Sequence, residues 1–526
     1  MSVNHSYVAN NDYLCRQKYY CCTYIIYNKV NKGFRILAFI ILALAATVAD
    51  AQIDGLTDNT TYNVELSGTF TDGDHAPFWL TSNCYGLSTI EPNSGYLRAG
   101  ISRPAENDSL LNWRYGYGID LAVPVNFTSD FVVQQLYGEV QFHNFRMTVG
   151  AKEIPQSMLN TALSSGGMTL SNNYRPIPQV RFDLAEWWTW HFTGDWLAVK
   201  GHLAYGIHTD NAWQKDFVAP GRLYTKNSLF HSKAGYMRIG NDEKLPISAT
   251  IGLEMASQFG GRGFNLTNRD DNQSAISDVD LGNQLKDFWD AFIPGGNDVN
   301  DGDYKNVAGN QLGNWYLELM YKGNGWDVKA YAEHFFEDHS QMFVQYGWKD
   351  MLWGLEANLP DNPFVSDIVA EYLYTKDQTG GLYHDENELL PIQISGKDNY
   401  YSHHVYGAWQ HWGQNVGNPL LLSPIYNNGM LLPQYNRVSA LHFGIAGNPT
   451  NELHYRLLYS NLRTIGTYDF PTLDPLDQNY FMAELTYKPV KLKGWSATAS
   501  FGFDEGDLIG NNTGFSLSIS KTGILF

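Results

Sequence analysis

Cysteine is scarce in this chain, and its placement excludes a cysteine-based framework. Three of the four cysteines, Cys15, Cys21 and Cys22, lie in an N-terminal segment that we expect to be removed on export. Cys84 alone then remains, so neither an intrachain disulfide nor a cysteine-based metal site can form. The stability of the mature chain must come from other sources.

Long apolar runs are also missing after residue 52, so no spanning helix is expected there. Aromatic residues nevertheless make up 14% of the chain, with 34 Tyr, 27 Phe and 15 Trp. They occur beside a mean hydropathy of -0.32. This combination is typical of outer-membrane barrels, which place Tyr and Trp at both membrane interfaces and keep a polar lumen.

Positive charge is the third shortage. The chain has 35 Lys and Arg against 54 Asp and Glu, a formal net charge of -19. The segment 1–51 holds five basic and two acidic residues, so the chain without it carries -22. Such a chain is not expected to bind nucleic acid, and an anionic glycan would need a local basic cluster.

The N-terminus has the pattern of a secretory signal peptide. Basic residues precede an apolar run that is shorter than the roughly 20 residues needed to span a membrane. Ala49 and Ala51 then supply small residues for a signal peptidase, which predicts cleavage between Ala51 and Gln52. The expected division is a leader at 1–51 and one domain at 52–526.

Apolar and polar residues alternate strictly in many segments of the mature chain. In 495–504 the residues Trp495, Ala497 and Phe501 are apolar, and small or polar residues separate them. A period of two gives a strand one apolar and one polar face. Soluble sandwiches and propellers also alternate, but they favour Val, Leu and Ile in a packed core, whereas Tyr, Trp, Phe and Ala recur here. About 18 such segments occur, among them 62–71, 113–121, 229–239, 247–255, 314–321, 400–410 and 480–487.

The connections between these segments differ in length. Tight ones lie at 322–325 and 447–450, and such turns usually face the periplasm. Long connections reach outside or fold back into the lumen, and they usually carry function. One stretch within them, 281–293, could form an amphipathic helix. The long connections are 153–178, 259–312, 377–399 and 412–435. The predicted fold is all-β, a transmembrane antiparallel β-barrel of about 18 strands, closed or plugged by long loops.

Two polar–aromatic blocks, 333–356 and 396–412, could carry chemistry. A metal site is disfavoured because the spacing matches no compact ligand signature and adjacent strand residues face opposite ways. Carboxylate pairs such as Glu337 with Asp338, or Asp350 with Glu356, could serve a hydrolase, but no nucleophile motif accompanies them. The blocks best suit sugar binding, in which aromatic faces stack on pyranose rings and polar groups bind hydroxyls.

A structural role is the alternative for each of these residues, since Trp and Tyr form interface girdles and charges pair across a wet lumen. The candidate glycan contacts are His334, Glu337, Asp338, His339, Trp348, Asp350, Trp353, Glu356, Lys397, Asp398, Tyr400, His403, Trp409 and Trp412.

The same blocks resemble the capsule assembly protein Wzi family, in the form found in Bacteroidetes. The resemblance implies an outer-membrane barrel with a lectin-like role that holds exported capsular polysaccharide on the cell, without catalysis or cofactor. The enterobacterial branch carries a periplasmic helical bundle at its N-terminus, and the sequence after Gln52 shows no helical stretch that would predict such a bundle. Nearly all the mature chain takes part, through 76–80 (Ala-Pro-Phe-Trp-Leu), 92–98, 163–168 (Leu-Ser-Ser-Gly-Gly-Met), 175–178 (Arg-Pro-Ile-Pro), 334–343, 350–356, 396–401, 417–421 and 423–426.

The expected function is therefore attachment of capsular polysaccharide by a non-enzymatic outer-membrane protein. The alternatives are a porin or channel for solutes and, third, a glycan-modifying hydrolase. The expected partners are capsular or other surface polysaccharide and outer-membrane lipid or lipopolysaccharide. No cofactor, metal or nucleic acid is expected, and the chain is expected to be a monomer.

Overall fold

The computed structural model describes most of the chain after residue 56. The described residues are 57–105, 112–267, 275–276, 278–294, 309–337, 342, 348–360, 362–378 and 398–525. The predicted cleavage site at Ala51 and Gln52 lies outside them, as do the candidate contacts Asp338, His339 and Lys397.

Eighteen antiparallel strands pair in chain order, and β1 pairs with β18, which closes a barrel. The predicted fold class is thereby confirmed. The strands are β1 (Thr61–Asp72), β2 (Asn93–Arg103), β3 (Trp113–Val125), β4 (Val132–Phe142), β5 (Phe145–Ala151), β6 (Gln179–Leu184), β7 (Leu197–Ile207), β8 (Leu229–Ile239), β9 (Ile247–Phe259), β10 (Asn310–Lys322), β11 (Asp327–Glu337), β12 (Met351–Asn358), β13 (Asp367–Tyr374), β14 (Val438–Thr450), β15 (Leu453–Gly466), β16 (Pro471–Tyr487), β17 (Trp495–Gly506) and β18 (Asn512–Ile524).

Short elements lie in the connections. The α-helices are α1 (Phe78–Thr81), α2 (Asn211–Phe217) and α3 (Leu285–Phe292), and 3-10 turns occur at His191–Thr193 and Pro424–Tyr426. The short strands are Trp188–Thr189, Tyr224–Lys226, Arg262–Phe264, Leu266–Thr267, Ala275–Ile276, Val279–Asp280, Ser402–His403, Gly407–Ala408, Gln410–His411 and Gln414–Asn415.

The alternation in the sequence becomes the two faces of the barrel wall. On β9, Ile247 and Ile251 face outward and are 42% and 41% exposed, whereas Ser248 and Thr250 face the lumen and are buried. The outward faces together form an apolar belt, which is the surface that a membrane barrel presents to lipid.

The pairing of β18 with β1 is regular to its end, running from Phe515–Phe70 to Ile524–Thr61. The alternation of apolar and polar residues breaks near Lys521, but this pair has no bulge there. Lys521 instead lies over the outward ring of Trp495, 5.8 Å from its centroid. A cation above an aromatic ring is a stable arrangement at a membrane boundary.

The two ends of the barrel differ. The turn end, where β1 begins and β18 ends, has the short connections 143–144, 323–326 and 451–452. The opposite edge, the loop end, has all the long ones. Exposed aromatic residues ring the turn end, as in an interface girdle; they are Trp113, Phe142, Phe145, Trp188, Trp326 and Trp495.

Two loop segments fill much of the lumen, and we call them plug segment 1 (152–178) and plug segment 2 (398–437). Leu163 and Met168 of the first and Tyr400 and Trp409 of the second have no exposed surface and join one core with inward wall residues. The predicted barrel strand at 400–410 is wrong. Strands β13 and β14 pair directly, from Asp367–Ala446 onward, and leave no open edge for it.

Candidate functional site

Inward carboxylates of the wall hold plug segment 1 by its backbone. Glu333 on β11 accepts the Met168 N–H at 2.7 Å. Glu371 on β13 accepts the Ser165 N–H at 2.8 Å and the Ser164 hydroxyl at 2.6 Å. A loop buried in a lumen has no strand partner for its N–H groups, so these acceptors replace the water that the loop has lost.

Two predicted glycan contacts also bind plug segment 2. Glu337, 3% exposed, accepts the backbone N–H of Tyr401. Asp350, fully buried, accepts the Tyr400 hydroxyl at 2.9 Å and the Asp377 N–H at 3.1 Å. These carboxylates and Tyr400 are therefore part of the interior packing of the barrel.

Other predicted contacts are also interior. Glu356 forms an ion pair with Lys329 at 2.7 Å inside the lumen. The Nδ1 atom of His403, which is 8% exposed, accepts the Val405 N–H at 3.1 Å. Trp409 is fully buried and donates its indole N–H to the Thr169 carbonyl at 2.9 Å, which joins the two plug segments.

The remaining candidates lie at three different places. Trp353 is 52% exposed on the outer wall, where it lines a shallow apolar groove of about 670 Å³. His334 also faces outward, and its ring lies 5.2 Å from that of Trp348, which is 56% exposed at the loop end. Asp398 is half-buried at the start of plug segment 2. The structure thus divides the predicted set among lumen, outer wall and loop end.

Trp412 belongs to a polar cluster at the loop end. The Arg175 guanidinium lies 4.3 Å from the centroid of the Trp412 ring, and the Asp210 carboxylate accepts the backbone N–H of Trp412 at 3.2 Å. Burial lowers the pKa of Arg175 to about 10, and the nearby Asp210 carboxylate opposes that shift.

His411 in this cluster has one possible neutral form. Its Nδ1 lies 2.8 Å from the Arg175 carbonyl oxygen, which can only accept a hydrogen bond. Its Nε2 lies 3.2 Å from the Thr209 backbone N–H, which can only donate. The ring is therefore protonated on Nδ1 alone. Burial holds the pKa of His411 well below its usual value, and Asp210 opposes that shift.

One surface that sequence reasoning missed is a small loop-end sheet, formed by Tyr224–Lys226, Arg262–Phe264 and Val279–Asp280. Thr225, Gly263 and Val279 lie on its inner face, which packs on Leu266, Val405 and Tyr406 of a buried cluster. Because two of those residues belong to plug segment 2, the sheet sits directly on the plug.

The outer face of the loop-end sheet combines aromatic rings with cations. The rings of Tyr224 and Phe264 stack with centroids 4.8 Å apart and planes 7° apart, and both are half-buried. Lys226 lies 5.1 Å from the Phe264 centroid, and Arg262, paired with Asp278 at 2.9 Å, is exposed. The triplets Tyr-Thr-Lys and Arg-Gly-Phe alternate as short strands do, and this alternation could have predicted the two strands. They lie in connections, however, where no strand was expected.

A polar cavity of about 210 Å³ remains in the lumen on the side of β1, β2 and β15–β18. Hydroxyl groups such as those of Ser67, Ser500 and Ser518 line it, with the charged side chains of Arg98 and Glu153. Plug segment 1 contributes only Glu153 to this lining, and the connection between β1 and β2 contributes residues such as Trp79, Thr81 and Ser88.

Within the described ranges, no group of three or more His, Cys, Asp or Glu side chains is placed to hold a metal ion. Over the same part of the chain, no helix is long and apolar enough to cross a membrane.

A closed barrel with an apolar outer wall, a buried polar interior and an aromatic girdle at its turn end is an outer-membrane β-barrel. The long loops then face the cell exterior, and the short turns face the periplasm.

No known family model and no curated protein sequence matches the chain. Among solved structures it is similar to Wzi of Escherichia coli, described as an outer membrane protein involved in group 1 capsule assembly and a carbohydrate binding β-barrel. The TM-score is 0.54 at 14% identity, over 87% of this chain and 83% of Wzi. At that identity the likeness establishes the fold alone.

The chain is also similar to OccD3 of Pseudomonas aeruginosa, with a TM-score of 0.43 at 9% identity over 91% of this chain and 94% of OccD3. OccAB2 of Acinetobacter baumannii gives 0.45 at 7% identity over 90% of this chain and all of OccAB2. These two scores are too low to support an argument about function.

Proposed function

We propose that this protein is a non-enzymatic, lectin-like member of the Wzi group that holds capsular polysaccharide on the cell surface. The observation that carries the proposal is the aromatic and cationic outer face of the loop-end sheet, seated on the plug. Aromatic faces stack on the apolar faces of sugar rings, and Lys or Arg pairs with glycan carboxylates. Many weak contacts along one polymer then add up to firm retention.

The lumen supports the same proposal. The inward carboxylates accept hydrogen bonds from backbone N–H groups of the plug segments and do not face open space; they are Glu333, Glu337 and Glu371. They are therefore poorly placed to act as acid and base on a polymer outside the barrel, or to line a wide pore.

The test is polysaccharide binding by a Tyr224→Ala/Phe264→Ala variant. Each lost ring should cost about 1 kcal/mol, so affinity for purified capsular polysaccharide should fall roughly 30-fold. In cells, polysaccharide should move from the surface to the medium with an unchanged total.

A matched control exists at the opposite end of the barrel. Trp190 and Phe192 also stack, with centroids 5.6 Å apart, and Phe192 is 85% exposed. Phe192→Ala should bind and retain polysaccharide as the unaltered protein does. Equal retention by the Tyr224→Ala/Phe264→Ala variant, with the barrel folded, would remove the loop-end sheet from the proposal.

The second candidate is a solute channel, and the polar cavity of about 210 Å³ is the observation that favours it. Conductance in planar bilayers separates the two functions. A surface lectin with a plugged lumen should be silent, and a channel should give steady open-pore currents.

A further inference from the structure

Helix α3 lies against the outside of the barrel, not in the lumen. Its Phe288 ring lies 5.4 Å from Tyr205 on β7 and 5.2 Å from Phe259 on β9. Both wall residues face outward, because the neighbouring Ala204 and Gln258 face the lumen and are buried. The connection between β9 and β10 therefore turns back over the outer wall.

Outward polar side chains of the wall fasten the C-terminal half of α3. The Tyr205 hydroxyl donates to the Phe288 carbonyl at 2.9 Å, and Gln311 donates to the Asp290 carbonyl at 3.2 Å. The Lys233 ammonium donates to the carbonyl of Phe292, the last residue of the helix. The carbonyls of the last helical turn have no partner within the helix, so Gln311 and Lys233 supply donors to two of them and fix the helix in place.

A second apolar face of α3 is largely exposed. Leu285, Trp289 and Ile293 are 89%, 60% and 49% exposed. Their spacing of four residues puts them in one row along the helix. Lys286 and Asp290 form an ion pair at 3.8 Å on the polar side. The helix thus has one apolar face on the wall, one free apolar face and one charged face.

The height of α3 on the wall matches the upper edge of the apolar belt. Along β9 the outward residues Ile247, Ala249 and Ile251 are exposed and Leu253 is half-buried, whereas Met255, Ser257 and Phe259 are buried on the side of α3. At about 3.4 Å a residue and a tilt of about 40°, a belt about 25 Å tall that starts at Ile247 ends within about ten residues. The helix therefore lies at the boundary between the belt and the exterior.

We infer that α3 is an interfacial anchor whose Leu285, Trp289 and Ile293 insert among the acyl chains of the membrane's outer leaflet. The free apolar face continues the lipid-facing belt at the depth where amphipathic helices rest in membranes. The charged face, with Lys286 and Asp290, stays at the headgroup level. This inference is independent of the proposed function, since it needs no glycan.

The test places a fluorophore on either face of the helix. All four cysteines are replaced by serine, and Leu285→Cys or, as the matched control, Lys286→Cys is labelled. Each barrel is placed alone in a lipid nanodisc that contains brominated acyl chains, which quench from the membrane, or is exposed to iodide, which quenches from water. Heat-modifiable migration on a gel confirms that both variants are folded.

The label at position 285 should be quenched at least twofold more by brominated lipid than the label at 286, and at least twofold less by iodide. Equal quenching of both labels by iodide would overturn the inference. Protection from iodide that requires two barrels in one nanodisc, without quenching by brominated lipid, would also overturn it and would assign the face to a second copy of the chain.

Discussion

Removing the Glu371 carboxylate should loosen the plug and open the lumen. Glu371 accepts hydrogen bonds from the Ser164 hydroxyl at 2.6 Å, the Ser165 N–H at 2.8 Å and the Tyr331 hydroxyl at 2.5 Å. The first two join the wall to plug segment 1. In Glu371→Ala their donors stay buried without an acceptor.

The magnitude follows from those two bonds. A hydrogen bond to a charged acceptor contributes about 1.5–3 kcal/mol net, so the closed plug should lose about 3–6 kcal/mol. Since about 1.4 kcal/mol is a factor of ten, the ratio of open to closed lumen should rise roughly 10²–10⁴-fold. Glu371→Gln keeps the side-chain volume and one acceptor oxygen. Its ratio of open to closed lumen should therefore lie between those of the unaltered protein and Glu371→Ala.

Single-channel recording in planar bilayers is the assay. The unaltered protein should be silent, and Glu371→Ala should give discrete openings whose frequency rises as the free energy of plug closure falls. Glu243→Gln, an exposed change in the turn between β8 and β9, is the control for surface charge. Silence of a folded Glu371→Ala barrel would refute the view that wall carboxylates hold the lumen shut.

Trp409→Ala should lower the free energy of unfolding of the barrel by about 3–5 kcal/mol, because the ring is fully buried and joins the two plug segments. Trp353→Ala, on the outer wall, should leave polysaccharide binding unchanged, and a selective loss of binding would contradict its placement. Acid should loosen plug segment 2, because His411 is held neutral and the open form takes up a proton once the pH falls below about 6.5. Deuterium exchange at 398–416, after correction for intrinsic rates, should rise between about pH 7.5 and about pH 5, and pH-independent exchange there would refute this role.

The barrel could be predicted because its signal repeats in strand after strand, with few breaks. A period of two marks a wall with lipid on one side and a polar interior on the other, and the boundaries of β8 were predicted at 229–239, where the structure has Leu229–Ile239. The helix expected within 281–293 is α3. Both patterns depend on neighbours a few residues apart, which local sequence records directly.

The candidate site could be predicted only in part. Glu337, Asp350 and Trp409 stand in an aromatic, polar block, which is the composition of a sugar site and also that of a packed, hydrogen-bonded plug. Composition cannot distinguish the two, because both use aromatic area and polar partners. The loop-end sheet could not be predicted, because Tyr224 and Phe264 are about 40 residues apart and meet only through strand pairing.

The sequence by itself determined that this chain forms a barrel of about 18 strands and which residues of each strand share a face. Only the tertiary structure decided that Trp353 faces outward, that 400–410 folds into the lumen and that α3 lies on the outer wall. The physical reason is that alternation is a local property of the sequence. The direction of each face depends on closure of the whole barrel, and the course of each loop depends on which acceptors bind its buried donors.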